Sequence, residues 1–128
     1  MSLAETTYAD RLSLEMPLDA AHILTARLFA GGVARSLELG EETADVLRVT
    51  LTEICSEAIE RRREGRIVID VSADMDSTRV TVVATGVLDD ETPTNPTEAT
   101  YRRTLIEALV PDATFVEERD RLTVMFTL

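Results

Sequence analysis

All 13 basic residues of the chain are arginine. Without a lysine there is no Schiff base, no P-loop lysine and no lysine general base. Cys55 and His22 are the only cysteine and histidine, too few for a usual zinc site or a Cys–His redox centre. Cys55 follows Ile54 on an apolar helical stripe and reads as a small buried hydrophobe. His22, near a helix start, reads as a surface or packing residue. Carboxylates and guanidiniums remain. Glu53 and Glu57 stand four residues apart on a predicted helix, where like charges repel. Arg102-Arg103 is competent at phosphate, although such a pair reads first as a solvated helix face. Arg61-Arg62-Arg63 reads as the charged last turn of a helix, the sharper alternative being a patch for a partner. Ser56 offers a hydroxyl to phosphorylation with nothing further in its support.

The elements that position these groups follow from length, charge and periodicity. A chain of 128 residues suits one domain with its own core: a tail over 1–9 and a single domain over 10–128. A net charge of −11 argues against nucleic acid or an anionic membrane as the main partner. No apolar run is long enough to cross a bilayer, and the first residues lack the basic, apolar pattern of a leader. A cytoplasmic location is expected.

Alternation of Leu12, Leu14 and Met16 with polar residues predicts a strand over 11–17. Asp19 then caps a helix over 20–38, weakened at Gly31-Gly32, where close packing or a bend is expected. Gly40 breaks the chain before a helix over 41–63, with Leu47, Leu51, Ile54 and Ala58 on one stripe and Gly65 as its stop. Strands over 66–73 and 78–85 form a hairpin through Asp74–Ser77. Residues 86–97 read as a loop, since Pro93 and Pro96 exclude regular structure. A helix over 98–110 ends at Pro111, and two strands, 113–118 and 121–128, close the chain. This order, β-α-α-β-β-α-β-β, predicts an α+β fold: a two-layer α/β sandwich with helices on one face of a mixed or antiparallel sheet.

The same order, with three local stretches, resembles the GHKL superfamily of ATP-binding domains, in particular its anti-sigma factor and serine-protein kinase type. The stretches are Leu47–Ala58, which reads LRVTLTEICSEA; Val80–Gly86, which reads VTVVATG; and Leu105–Val110 followed by two strands. The likeness spans about residues 10–128 and implies a Bergerat-type, histidine kinase-like ATPase fold. It places Glu53 at the family's general base and Glu57 where the family has a magnesium-binding Asn. A carboxylate there could hold Mg²⁺ as a hard oxygen donor, yet it adds repulsion beside a triphosphate. Ala84 stands at the family's adenine-reading Asp, and Gly86 is retained from the same box. The lid glycines are absent; that stretch reads Thr100-Tyr101-Arg102-Arg103-Thr104.

These departures imply a regulatory protein-binding domain with no cofactor, unable to bind or hydrolyse ATP. Its implied partner is a sigma factor or an anti-sigma antagonist, and a homodimer is possible within the family. The alternative is a divergent ATP-dependent anti-sigma serine-protein kinase, with Glu53 catalytic, Glu57 binding Mg²⁺ and Arg102 and Arg103 clamping phosphate.

Overall fold

The computed structural model describes residues 10–89 and 95–128. The expected tail over 1–9 and residues 90–94 of the expected loop lie outside the described residues. The elements are β1 (Asp10–Pro17), a single 3-10 turn (Ala20–His22), α1 (Ile23–Ser36), α2 (Glu41–Arg61), β2 (Arg62–Arg63), β3 (Arg66–Ala73), β4 (Thr78–Thr85), β5 (Val87–Leu88), α3 (Pro96–Leu109), β6 (Thr114–Glu117) and β7 (Arg121–Thr127). The main sheet has the order β1-β3-β4-β7-β6, and β2 pairs with β5 in a separate ribbon. Every ladder is antiparallel, so the mixed sheet of the expectation resolves to an antiparallel one. The helices pack on one face, which gives the expected two-layer α+β sandwich.

Register explains why one face is apolar. Leu12, Val71, Val80 and Phe126 stand side by side across four strands. Leu14, Ile69, Val82, Val124 and Phe115 make the next row, and Met16, Ile67, Ala84 and Leu122 the third. The period-two side-chain alternation of each strand sends all three rows to the same side. Ala26, Ala30 and Val33 of α1 and Leu47, Leu51, Ile54, Cys55 and Ala58 of α2 close the core against them.

Local caps and turns set the boundaries. The Asp19 side chain accepts from the Ala21 N–H at 3.0 Å. Asp74 Oδ1 accepts from the Asp76 and Ser77 N–H groups and tightens the β3–β4 turn. Helix α1 ends at Ser36, where Glu38 takes φ 54° and Leu39 N–H bonds back to Ala34. Two expectations are corrected here. Pro96 does not exclude regular structure: it is the first residue of α3, capped by Asn95, whose side chain accepts from Thr97 and Glu98 N–H. A proline is tolerated there because that N–H has no helical partner. Arg62 and Arg63 do not continue α2; they turn extended and pair with Val87 and Leu88.

Glycines divide into two kinds. Gly65 lies so close to β4 that a Cβ would sit 1.8 Å from the Thr85 carbonyl oxygen. At Gly31 and Gly32 a Cβ would meet nothing within 4 Å, so the close packing expected there is absent and α1 runs through both. Alanine at either position is therefore predicted to stabilise the fold by about 0.5–1 kcal/mol. Gly65→Ala is predicted to destabilise it by about 3 kcal/mol or more, because backbone must move. Urea denaturation of the three variants checks this contrast; destabilisation by both helix alanines would contradict it.

Candidate functional site

Helix α2 carries Glu53, Glu57 and Glu60 along one flank, at a spacing of four and then three residues. Helix α3 lies against α2, and its position follows from Asn95 and Pro96. Counting from that cap, Ala99, Arg102, Arg103, Ile106 and Val110 recur at helical spacing, so both arginines turn inward with Ile106. Arg102 is 8% exposed. Its Nε donates to Glu53 Oε2 at 3.1 Å, and its two terminal nitrogens donate to the two oxygens of Glu60 at 2.9 and 3.1 Å. The planar guanidinium fits the Glu60 carboxylate in a two-pronged pair that an ammonium could not make.

Arg103 is half-buried. Its guanidinium lies 3.7 Å from the centroid of the Phe115 ring, a cation–π contact. Its Nη2 reaches Glu57 Oε1 at 3.5 Å, at the outer limit of a hydrogen bond. Glu57 is buried at 4% exposure. Its second oxygen and Arg103 Nε are buried polar atoms with no hydrogen-bond partner among the described residues, each a cost of about 1–3 kcal/mol. The solvated face expected for Arg102-Arg103 is thus corrected: one arginine is buried between carboxylates and the other is stacked on an aromatic ring.

A second buried arginine organises the far end of the sheet. Arg62 is 2% exposed. Its Nη1 donates to the carbonyls of Gly86 and Arg119 at 3.0 and 3.2 Å, and its Nη2 to those of Glu118 and Arg121 at 2.6 and 3.2 Å. It thereby ties the β2–β5 ribbon to the β6–β7 turn. Glu117 supplies the counter-charge, 3.7 Å from Arg62 and 2.8 Å from Arg61. Within the Arg61–Arg63 run, then, the middle residue is an internal hydrogen-bond hub and not part of a charged helix end.

The sequence singled out four site positions. Glu53 and Glu57 come together on α2, engaged by Arg102 and Arg103. Ala84 is buried in the apolar row between Ile67 and Leu122. Gly86 has φ +134°, and a Cβ on it would lie 2.7 Å from the Arg63 carbonyl oxygen. Its own carbonyl belongs to the Arg62 hub, and its N–H donates to the Asp120 carbonyl at 3.1 Å. Ala84 and Gly86 thus have full structural employment. Sequence reasoning missed Arg62 and the inward turn of Arg102. For Arg102 a signal existed, its place in the α3 apolar stripe; for Arg62 none did, because main-chain carbonyls leave no mark on a sequence.

Compared with known proteins, the chain matches no family model and no curated protein. Among the described residues no helix is long and apolar enough to cross a membrane, and no group of three His, Cys, Asp or Glu side chains could hold a metal ion.

Two consequences concern protons. Hydrogen bonds from Arg102 hold the Glu60 carboxyl below its ordinary value of 4.5; burial opposes this and the arginine charge adds to it. A depressed carboxyl stabilises the fold above its ordinary value, and that contribution is lost as pH falls through the folded value. Below pH 4.5 the parent chain is predicted to lose stability more steeply than Glu60→Gln, in urea melts at stepped pH; parallel losses would refute the pairing. Burial also pushes the Cys55 thiol up to about 12 from 9.0. Native Cys55 is predicted to react with a thiol reagent at about pH 8 only as fast as the chain opens. Above pH 9.0 the unfolded chain ionises first, so stability declines. Prompt stoichiometric labelling of the native chain would contradict this.

Proposed function

We propose that the chain is a regulatory protein-binding domain related to anti-sigma factors, acting through contact with a sigma factor or an anti-sigma antagonist and without nucleotide. The observation that carries this reading is the engagement of Glu53 by buried Arg102. A general base must be free to take a proton from a hydroxyl or water within hydrogen-bond reach. Glu53 instead accepts from a guanidinium that keeps its charge: the Arg102 pKa is raised, first by hydrogen bonding to Glu60, against burial.

The residues present do not fit a magnesium triphosphate. Glu57, at the position for the metal ligand, is buried against Arg103. Ala84, at the position for the adenine reader, offers a methyl group within an apolar row. Arg102 and Arg103, which the kinase reading needs as phosphate clamps, are turned to Glu53, Glu60, Glu57 and Phe115. A phosphate at Arg102 would have to displace carboxylates already in place.

Calorimetric titration of the full chain with Mg-ATP tests this, with no saturable heat expected at millimolar nucleotide. A dissociation constant in the micromolar range would overturn the reading and favour the kinase. The paired variant Glu57→Asn/Ala84→Asp restores two family residues and is still expected to bind no ATP. The carboxylate introduced by Ala84→Asp would lie between Ile67 and Leu122, so a loss of about 3 kcal/mol in stability is expected.

A further inference from the structure

Helix α1 turns Ala26, Ala30 and Val33 to the core, which leaves its outer flank without a partner among the described residues. On that flank Leu24 and Leu28, one turn apart, are 62% and 69% exposed. They continue into Gly31 and Gly32, and together these residues line an open groove of about 490 Å³. Positions 24, 28, 31 and 35 follow one helical edge for roughly 16 Å. The remaining walls of the groove are Arg27, Arg35 and Arg48.

The charge of this groove is opposite to that of the protein. The chain carries −11, yet among the described residues none that lines the groove is acidic. Most arginines of the described residues are matched to carboxylates. Arg27 and Arg35 form no ion pair among the described residues, and Arg48 alone of the three is bonded, to Asp45 of its own helix. The glycines add a steric argument. Neither is crowded by the described residues, and each weakens the helix; what two adjacent glycines permit is close approach of a second backbone.

We propose that the α1 groove docks an acidic amphipathic helix of a partner protein, its apolar stripe on Leu24 and Leu28, its backbone over the glycines and its carboxylates toward Arg27 and Arg35. Helix-in-groove recognition uses this division between apolar anchors and flanking charge. A second copy of the chain is the poorer occupant, because an isologous contact sets a patch against itself and would bring arginine to arginine. The inference rests on the protein-binding reading, and the two fail separately: ATP binding would remove that reading and leave the groove untouched.

The test is an NMR titration of the full chain with two synthetic helical peptides, identical in their leucine face and carrying either glutamate or lysine on the flanks. The glutamate peptide is expected to give saturable shifts confined to residues 24–35 and Arg48. Its affinity should fall about tenfold or more in Arg27→Glu/Arg35→Glu, and likewise on raising salt. Both arginines are exposed, so the variant keeps the fold, and its unperturbed spectrum elsewhere verifies that. Absence of saturable binding, equal binding of the lysine peptide, or shifts on another surface would overturn the proposal. So would a dimer in sedimentation equilibrium that Leu24→Glu/Leu28→Glu dissolves.

Discussion

Helix α3 has little apolar surface with which to hold its place, and the guanidinium of Arg102 supplies what is missing. Of its fourteen residues only Arg102 and Ile106 are buried. Three charge-assisted hydrogen bonds to two residues of α2 fix where the helix lies and how it is rotated. The exchange is not a simple gain. Removing a guanidinium from water costs several kcal/mol, and the partners restore it only through good geometry. Glu60 keeps about half its surface in water, which screens the pair. The result is one defined seat for a helix that a few apolar contacts would leave free to slide.

The same device recurs at Arg62. Arg62 is buried at the end of the sheet, between the β2–β5 ribbon and the β6–β7 turn. Its guanidinium donates to four carbonyls, those of Gly86, Arg119, Glu118 and Arg121, the last two of which also accept from the N–H of each other's residue across the turn. Lysine could not substitute at either place, because a fork of fixed, coplanar donors is what reaches several acceptors at once. An all-arginine complement is consistent with a fold that uses guanidiniums as internal staples. Arg27 and Arg35 are not staples of this kind: they face an open groove with no acidic residue in its lining among the described residues.

Most of the architecture was readable from periodicity. The 66–73 and 78–85 strands, the Asp74–Ser77 turn, the Asp19 cap and the stripe on α2 all rest on local rules: alternation, helical spacing and side-chain capping. Errors arose where long-range contacts override local preference. Arg62 and Arg63 leave the helix because Val87 and Leu88, far along the chain, offer a strand partner. Gly65 is required by the Thr85 carbonyl and not as a helix stop. At the site, Glu53 and Glu57 were found by type and spacing, but their partners were not. An arginine on a charged chain is ordinarily solvated, and only the α3 register, set by Asn95 and Pro96, turns Arg102 toward α2. The glutamate positions were thus legible and their occupation was not.

The central claim is that Arg102 couples α3 to the carboxylates of α2, so that Glu53 is not free. A double-mutant cycle over Arg102→Met and Glu53→Gln, with Glu60 left intact, measures the Glu53 coupling directly, by urea denaturation at neutral pH. An interaction energy of about 1–2 kcal/mol is expected, since groups in one hydrogen-bonded network are non-additive. Stabilities that add to within about 0.3 kcal/mol would mean that Arg102 and Glu53 act independently. In that case Glu53 would be available for chemistry and the account would be contradicted.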